Sequence, residues 1–286
     1  MKNYKERINL VKKLIEDAEY VLVGAGSGLS TAAGLEYSGD KFKKDYEEYI
    51  EKYHFKDLYS ASFYEFETQE EKWAFFAKLI ELNRYNEKPL KLYLELMQLI
   101  KEKEYFILST NVDGQFEKAG FDKDRIFEIQ GDYAYLQCEQ ACHDKLYYNE
   151  KLVKEWLKGT KDFKIPKSLI PVCPVCGEDM ELNLRKDSNF VQDKNWYKQE
   201  KRYKDFLKNS LKEKVLLLEI GVGFNTPGII RYPFERIVYT NDNSNLIRIN
   251  KEHAFCSEQI KNRTVLFDED INEIIKDINE EDKNDN

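Results

Sequence analysis

The sequence lacks any long hydrophobic run. No stretch of 18 consecutive apolar residues occurs in the 286-residue chain, so no membrane-spanning helix is expected. The first twenty residues alternate charged and apolar side chains in the manner of an amphipathic helix, and they lack the apolar segment of a signal peptide. We therefore expect a cytoplasmic protein that has no membrane partner.

Positive charge is in deficit. The chain carries 45 Lys and Arg residues against 53 Asp and Glu residues, a net charge of −8. Because phosphate backbones are bound by positively charged surfaces, this balance argues against a nucleic-acid partner. Residues 280–286 form an acidic tail that we expect to be disordered. The 19 Tyr and 17 Phe residues, in contrast, are enough to build a sizeable core.

Cysteine is scarce, with five residues, but four of them form two close pairs. In a reducing compartment such pairs indicate a metal site rather than disulfides. Structural Zn²⁺ prefers four tetrahedral thiolates, and the alternative is a set of buried thiols. His143 is a competing ligand by position. The predicted zinc ligands are Cys138, Cys142, Cys173 and Cys176.

A glycine-rich segment follows the first predicted strand, residues 20–23. A buried strand that runs into a glycine-rich turn is the layout of a dinucleotide phosphate site, since glycine lets the backbone approach the phosphates and N–H groups at a helix start bind them. The alternative is a tight strand-to-helix turn that binds no ligand. The predicted binding residues are Gly24, Ala25, Gly26, Gly28, Ser30 and Gly34.

Two further strands, residues 105–109 and 126–129, end in polar residues. Ligands of an open parallel sheet bind at the carboxyl ends of its strands. We therefore expect Asn111, Asp113 and Gln130 to point into one crevice. The alternative for Asn111 and Asp113 is a helix cap, a common role of these residue types.

The rest of the chain alternates apolar runs with helical patterns. Strands are predicted at residues 214–220, 236–241 and 245–250, and a helix is predicted to bury Leu90, Leu94, Met97 and Ile100. Such alternation is typical of an α/β fold, a doubly wound parallel sheet of Rossmann type with a small helical and zinc-binding lobe. The predicted domains are a Rossmann-type domain of residues 1–40, 90–132 and 211–279, a helical insert of residues 41–89, and a zinc-binding lobe of residues 133–195.

In this order the motifs resemble those of sirtuins. Gly24-Ala25-Gly26 with Ser30 and Ala33-Gly34 resembles the NAD loop of that family, and Thr110-Asn111-Val112-Asp113 resembles its Gln-Asn-Ile-Asp motif. The resemblance implies an enzyme that uses NAD and holds a structural Zn²⁺, with Asn111 and Asp113 near nicotinamide and its ribose. The residues that it implies around the adenosine half are Gly221, Val222, Gly223, Phe224, Asn225 and Asn250.

Three departures from the sirtuin pattern bear on the reaction. The glycine loop contains the additional residues 27–29, Glu36-Tyr37 stand where the family has Pro-Asp, and Gln130 replaces the general-base histidine. A glutamine amide cannot accept a proton near neutral pH, and loss of a general base typically slows a reaction by about 10²–10⁴. Cleavage of the nicotinamide–ribose bond needs no base on the ribose. The sequence thus predicts that nicotinamide release is kept and efficient deacylation is lost.

Gln130, the longer loop and the segment at residues 37–39 resemble the macrodomain-linked class M sirtuins of bacteria, which are protein mono-ADP-ribosyltransferases. The resemblance implies Asn111, Asp113 and Gln130 as catalytic residues. It also implies as acceptor a lipoylated carrier related to glycine cleavage protein H, and a macrodomain hydrolase in the same pathway. The alternatives are an NAD-dependent deacylase or an NAD glycohydrolase on the same scaffold, and a non-catalytic module that binds NAD or ADP-ribose.

Overall fold

A computed structural model of the chain describes residues 3–35, 37–86 and 88–280. The expectations for Glu36 and for residues 281–286 lie outside this described part. The chain forms two compact units: a sheet unit of residues 1–33, 89–130 and 194–286, and a small unit of residues 34–88 and 131–193. The finer division into a helical insert and a separate zinc-binding lobe stays a prediction.

The described strands and helices alternate along much of the chain. The strands are β1 Tyr20–Ala25, β2 Glu104–Ser109, β3 Ile126–Glu128, β4 Gly131–Cys138, β5 Tyr147–Tyr148, β6 Met180–Leu184, β7 Val215–Ile220, β8 Ser244–Ile249 and β9 Thr264–Phe267. The α-helices are α1 Tyr4–Asp17, α2 Ser27–Ala32, α3 Asp40–Asp45, α4 Glu47–Tyr53, α5 Leu58–Ser62, α6 Gln69–Ile80, α7 Lys91–Ile100, α8 Gln115–Lys118, α9 Glu150–Gly159, α10 Lys194–Ser210, α11 Arg231–Thr240 and α12 Ile271–Asn279. Within the described residues, none of these helices combines the length and the apolar character that a membrane crossing needs.

The sheet unit contains a six-stranded sheet in the order β3-β2-β1-β7-β8-β9. Every pair of neighbours is parallel. From β1 the chain first winds outward to β2 and β3 and then returns to place β7 on the other side of β1. The predicted doubly wound parallel fold is confirmed. The loops after β1 and β7 leave the sheet side by side at this reversal, which is where such folds bind ligands.

Helices cover both faces of this sheet. One face packs against α1, α7 and α12 around Ile8, Leu96 and Ile274. The other face packs against α10 and α11, and Phe234 and Val238 are fully buried there. Because both faces are covered, the central strands read as continuous apolar runs, and every residue of β7 is buried.

Residues 236–241 were predicted to form a strand, and that prediction is wrong, because α11 runs through Thr240. Phe234 and Val238 are buried on one side of α11, four residues apart, as helical periodicity requires. The run Ile237-Val238-Tyr239 looks like a strand in a window of six residues. The helical spacing of the apolar residues can be recognised only when the sequence is read from Ile230 onward.

The predicted helix around residues 90–100 exists as α7, but its buried face differs from the predicted one. Leu92, Tyr93, Leu96 and Ile100 are buried, whereas Leu94 is exposed. Apolar residues occupy so many positions of α7 that sequence spacing fits two stripes equally well. Packing against the sheet selects the stripe that contains Tyr93.

The small unit combines a three-stranded antiparallel sheet, in the order β5-β4-β6, with α3 to α6 and α9. Its helical part is held by aromatic packing. Trp73 of α6 and Trp156 of α9 are both fully buried, and their ring centroids lie 4.8 Å apart. Cys138 is the last residue of β4, so the sheet places the first predicted zinc ligand.

Candidate functional site

The glycine loop of the sheet unit lies against the loop that follows β7. The backbone N–H of Gly28 donates to the carbonyl oxygen of Gly221 at 3.0 Å. A Cβ atom on Gly26 would lie 2.6 Å from that oxygen, and one on Gly28 would lie 2.8 Å from the Gly221 Cα. Gly221 itself has a φ of +64°, in the left-handed region that glycine enters without strain. Glycine is therefore required at these positions by the close approach of the two loops.

Gly24 lies inside β1 rather than in the loop. A Cβ atom at this position would overlap the side chain of Ile230 and would lie 2.8 Å from the ring of Phe234. The absence of a side chain lets α11 pack closely on the strand. This packing explains Gly24 without a ligand, and its role in phosphate binding stays a prediction.

A chain of hydrogen bonds joins the glycine loop to the polar turn after β2. Asn111 Nδ2 donates to Tyr93 Oη at 3.3 Å. The Ser30 hydroxyl donates to Asp113 Oδ2 at 2.6 Å. The oxygens of Ser30 and Tyr93 lie 2.9 Å apart. Because the Ser30 proton is directed at Asp113, the Tyr93 hydroxyl donates to Ser30. The order is Asn111 to Tyr93 to Ser30 to Asp113.

Tyr93 can keep this direction because its hydroxyl remains protonated. Burial, and then the negative charge of Asp113, raise the pKa of Tyr93 well above its usual value. Ser30, Tyr93 and Asp113 are all buried, with 1% exposure or less, and Asn111 is 6% exposed. The four side chains thus form a dry, directed network at the carboxyl ends of β1 and β2. Sequence analysis missed Tyr93, which reads as one more apolar residue of α7.

Asp113 uses its two carboxylate oxygens for two different contacts. Its Oδ1 atom accepts from the backbone N–H of Gln115, two residues on, at 3.0 Å, which is the hydrogen bond of an Asx turn just before α8. Its Oδ2 atom accepts from Ser30. The turn itself is tied to β1, since the Thr110 N–H donates to the Ala25 carbonyl at 3.0 Å. The N-cap residue of α8 is Gly114, so Asp113 stabilises the turn before the helix rather than capping it.

Gln130 follows β3, the strand next to β2. Its Nε2 atom lies 3.4 Å from Thr226 Oγ1 in the loop after β7, a long and weak hydrogen bond. The preceding residue is anchored, because Trp196 Nε1 donates to the Ile129 carbonyl at 3.3 Å. Gln130 therefore offers a half-exposed amide at the same edge of the sheet as Asn111. An amide at this position binds by hydrogen bonds and exchanges no proton.

Asn250 connects the two loops that follow β7 and β8. Its Nδ2 atom donates to the Val222 carbonyl at 2.8 Å. Its Oδ1 atom accepts from the backbone N–H groups of Glu252 at 3.0 Å and His253 at 2.9 Å. Asn250 is 8% exposed, so its buried side chain stabilises the conformation of both loops through these hydrogen bonds.

Phe224 is an exposed aromatic residue of this part of the sheet unit, at 41% exposure, and its neighbour Phe255 is exposed as well, at 53%. Its ring meets His253 edge-on at 4.9 Å and stacks on Phe255 at 5.8 Å. Asn225 beside it is also exposed. A fixed and accessible ring suits a flat apolar ligand group such as a nucleobase.

Buried charges under these loops were not anticipated. Arg248 forms a two-pronged pair with Glu219, with distances of 2.7 and 2.8 Å, and both side chains are fully buried. Arg231, at 1% exposure, donates to the carbonyls of His253 at 3.1 Å and Phe255 at 2.8 Å. The available signal was a charged residue inside each of two apolar strands, since such residues are rarely fully buried unless paired.

In the small unit, the four predicted cysteines form one cluster. Their sulfur atoms all lie within 4.8 Å of one another. Cys138 and Cys176 are 3.6 Å apart, as are Cys142 and Cys173. Four sulfurs at the usual Zn–S distance of about 2.3 Å from a shared tetrahedral centre are separated by roughly 3.8 Å. The donor set and its spacing therefore fit a tetrahedral metal ion.

The local backbone of the cluster has the form of a metal-binding knuckle. The Cys173 N–H donates to the Glu178 carbonyl at 2.7 Å, and the Gly177 N–H donates to the Cys173 carbonyl at 2.9 Å. Burial raises the pKa of the Cys173 thiol, but hydrogen bonds from backbone groups of Cys176 and Val175 outweigh it and lower the pKa to about 6. A thiolate, the form that binds metal, is thereby favoured at Cys173, whereas burial and the contacts with the other thiols raise the pKa of Cys142.

Two sequence predictions fall elsewhere in the small unit. Gly34 has a φ of +102°, and its carbonyl accepts from Lys41 Nζ at 3.0 Å. His143 Nδ1 lies 3.0 Å from Cys142 Sγ. Among the described residues, the group whose ligand atoms all lie within 4.8 Å of one another consists of the four cysteines and does not include His143. The cofactor role of Gly34 stays a prediction.

Comparison with solved structures identifies the fold class. The chain is similar to the structure "Structural Basis for the Mechanism and Regulation of Sir2 Enzymes" with a TM-score of 0.59 and 16% identity, covering 96% of both chains. It is similar to "Sir2-p53 peptide-NAD+" with a TM-score of 0.55 and 14% identity, again covering 96% of both chains. At this level of identity the likeness establishes the sirtuin fold alone.

Sequence comparison narrows the class. No family model matches the chain. It is 35% identical over 271 residues to "Protein ADP-ribosyltransferase" of Staphylococcus aureus strain Mu50, covering 94% of this chain and 86% of that protein. It is 33% identical over 255 residues to "Probable bifunctional ADP-ribose hydrolase/ADP-ribosyltransferase" of Fusarium oxysporum f. sp. cubense, covering 85% of this chain but 42% of that longer protein.

The chain therefore belongs to the sirtuin-fold protein ADP-ribosyltransferases. The predictions of the family and of an NAD-dependent transferase are confirmed at this level. The roles of individual residues, including Asn111, Asp113 and Gln130, stay predictions.

Proposed function

We propose that this protein transfers a single ADP-ribose unit from NAD to a lipoylated carrier protein related to glycine cleavage protein H, with release of nicotinamide, in the cytoplasm. One observation carries the choice of transfer over deacylation. At the carboxyl edge of the sheet, next to Asn111 and Asp113, the chain offers the amide of Gln130. This group can orient a substrate hydroxyl but cannot remove its proton.

The proposed reaction balances without a base at Gln130. The bond between the ribose carbon and the nicotinamide nitrogen breaks, and its electron pair leaves with nicotinamide. A lone pair of the acceptor forms the new bond to the ribose carbon, and the acceptor's proton goes to solvent. Deacylation, in contrast, needs a ribose hydroxyl to lose a proton within the site. The Gln130 amide is therefore compatible with ADP-ribose transfer and cannot supply the base that deacylation needs.

Each group of residues has a separate task in this proposal. Asn111 and Asp113 bind nicotinamide and its ribose, and the hydrogen-bond network through Tyr93 fixes their rotamers. Gln130 binds ribose hydroxyls or orients the acceptor. The remaining NAD contacts are assigned to Gly24, Ala25, Gly26, Gly28, Ser30, Gly34, Thr110, Gly221, Val222, Gly223, Phe224, Asn225 and Asn250. Tyr37 is assigned to the wall of the acceptor channel.

A structural Zn²⁺ is proposed for the cysteine cluster, held by Cys138, Cys142, Cys173 and Cys176. The four thiolates complete the tetrahedral shell, so no ligand position is left for a substrate. When bound, the ion would stabilise the small unit by linking its four ligands, and it would take no part in the reaction. Held by these cysteines, the ion would link the end of β4 to the knuckle at residues 173–177.

The lipoylated carrier and a macrodomain hydrolase of the same pathway are proposed as partners. The resemblance to class M sirtuins supports both. The name of the Fusarium relative, which pairs an ADP-ribose hydrolase with an ADP-ribosyltransferase in one longer protein, supports a functional link between the two activities. A hydrolase that removes ADP-ribose would make the modification reversible.

A transfer assay tests the proposal. Biotin-labelled NAD is incubated with the protein and with lipoylated or unlipoylated carrier, beside an acetyl-lysine peptide. Label on the lipoylated carrier that is lost in Asn111→Ala supports the proposed function. Nicotinamide release without label indicates an NAD glycohydrolase. NAD binding without nicotinamide release indicates the non-catalytic module, and rapid deacetylation indicates a deacylase.

A further inference from the structure

Helix α10 carries a line of lysines on its solvent side. Lys194, Lys198, Lys201 and Lys208 follow one another at spacings of four, three and seven residues. Such spacings place residues on one face of a helix. All four side chains are exposed. We call this set the lysine stripe; at a rise of about 1.5 Å per residue it extends for roughly 20 Å.

The opposite face of α10 is fixed to the sheet, so the stripe has one orientation. Trp196, Tyr203 and Phe206 pack against the core on that face. The ring of Trp196 meets Phe127 of β3 at 5.0 Å, and the ring of Phe206 meets Phe106 of β2 at 5.5 Å. The lysines point away from these contacts and into solvent.

The stripe is positively charged in a chain that is negative as a whole. Helix α10 contains six Lys or Arg residues and two Asp or Glu residues, whereas the whole chain has a net charge of −8. Lys201 pairs with Asp205 at 2.7 Å. No ion pair joins Lys194, Lys198 or Lys208 to any other residue in the part of the chain that the structure describes. Three ammonium groups of the stripe are thus left to solvent.

The first turn of α10 lies at the ligand-binding edge of the sheet. Trp196 Nε1 donates to the carbonyl of Ile129, the residue before Gln130. Lys194 and Lys198 are two residues on either side of Trp196 along the chain. The stripe therefore begins beside the strand end that carries Gln130 and extends away from it along the outside of the sheet unit.

We propose that the lysine stripe is a docking surface for an acidic face of the acceptor protein. The proposal deepens the proposed function, on which it rests, by naming the surface that recognises the acceptor. Charge complementarity supports an acidic protein. A nucleic-acid duplex carries one negative charge per about 1.7 Å and needs a broader basic surface than four lysines on one helix. A membrane surface would need more apolar insertion than the single exposed ring of Tyr197 supplies beside the lysines, since the other large apolar side chains of α10 pack against the core.

Charge reversal on the stripe tests the proposal. The double variant Lys198→Glu with Lys208→Glu changes two exposed lysines that form no ion pair with another described residue. The matched control is Lys5→Glu with Lys13→Glu, two exposed lysines on α1 of the same unit. The probe is a lipoyl-carrier protein of net negative charge, whose binding is measured by fluorescence anisotropy at low and high salt and whose labelling is measured separately.

The stripe variant should weaken carrier binding at low salt by about tenfold or more and should flatten its salt dependence, since exposed charges at an interface act mainly through steering. The control variant should bind like the unmodified protein, and acceptor-independent nicotinamide release should be unchanged in both. Equal carrier binding by the stripe variant and the unmodified protein would overturn the proposal. So would a stripe-dependent preference for duplex DNA or phosphatidylserine vesicles over the carrier.

The two measurements separate this proposal from the proposed function. If the unmodified protein binds the carrier through the stripe but does not label it, the docking surface stands and the proposed reaction fails. If the carrier is labelled equally by both proteins and bound equally, the reaction stands and the docking surface fails.

Discussion

Ser30 donates a 2.6 Å hydrogen bond to Asp113, and this contact joins the glycine loop after β1 to the polar turn after β2. Both side chains are buried. The bond gives the glycine-rich segment a role beside the phosphate binding proposed for it, because it also fixes one oxygen of the carboxylate that we assign to the ribose. Tyr93 continues the connection to Asn111.

Removal of the Tyr93 hydroxyl should slow the reaction with little effect on folding. Tyr93→Phe keeps the ring that packs on Phe116 at 4.9 Å but releases Asn111 and Ser30. A net hydrogen-bond contribution of about 1–1.5 kcal/mol corresponds to a roughly tenfold lower kcat. Nicotinamide release measures kcat, and thermal unfolding measures stability.

Tyr105→Phe is the matched control for Tyr93→Phe. The Tyr105 hydroxyl accepts from the Asp122 N–H at 3.0 Å, away from the strand ends that carry Asn111 and Asp113. This variant should lose a little stability and keep kcat. Equal losses of kcat in the two variants would mean that Tyr93 serves folding rather than the site.

Replacement of Gln130 should separate nicotinamide release from acceptor modification. Gln130→Ala removes an amide that orients ribose hydroxyls or the acceptor, so transfer should fall by about tenfold, the typical value of one lost hydrogen bond. The protein fold should be unaffected because the side chain is half-exposed and makes one long contact. Unchanged transfer would remove Gln130 from the mechanism.

Gly221→Ala should disrupt the contact between the loops after β1 and β7. Its Cβ atom would overlap the backbone of Gly28 and Leu29, and its φ of +64° is unfavourable for alanine. We expect a loss of about 1–3 kcal/mol in the free energy of unfolding and a large loss of NAD affinity. Calorimetry measures both.

Gly228→Ala, which lies outside the assigned NAD contacts, is the control in the same loop. A Cβ atom there meets no heavy atom within 4 Å, so stability should change by less than about 0.5 kcal/mol. If both variants lose NAD affinity to the same degree, the loop contact between Gly221 and Gly28 is not the reason.

Metal analysis should find one zinc ion per chain. Cys173→Ser should lose the ion and lower the melting temperature, because structural zinc contributes directly to folding. Cys256→Ser, in the sheet unit, should keep the ion. Purified protein that holds no zinc and is insensitive to chelators would contradict the assignment.

The elements that could be predicted from the sequence are those whose signal is local. Apolar runs predicted β1, β2 and β7, the glycines predicted a tight segment after β1, and the paired cysteines predicted the cluster. The α11 segment could not be recognised, since a short β-branched run fits a strand until Phe234 and Val238 are seen on one buried face. Tyr93 was hidden for a different reason. Its hydroxyl gains partners only when α7 packs against strand ends that are distant in sequence.

The buried pair of Glu219 and Arg248 shows the same limit. Each residue interrupts an apolar strand, but only the parallel register of β7 and β8, which places Glu219 opposite Arg248, shows that they neutralise each other. The sequence shows that a charged residue lies within an apolar strand, but only the tertiary structure shows which residue of opposite charge pairs with it.

The central claim is that the protein transfers ADP-ribose and does not deacetylate. The most direct test is a competition in which one preparation of the protein receives NAD and both acceptors together. The lipoylated carrier and an acetyl-lysine peptide are mixed with the protein and NAD, and nicotinamide, carrier mass and peptide mass are measured in the same sample. We predict that the carrier gains one ADP-ribose for each nicotinamide released and that the peptide keeps its acetyl group. Deacetylation that matches nicotinamide release, with an unmodified carrier, would contradict the account and would require a base other than Gln130.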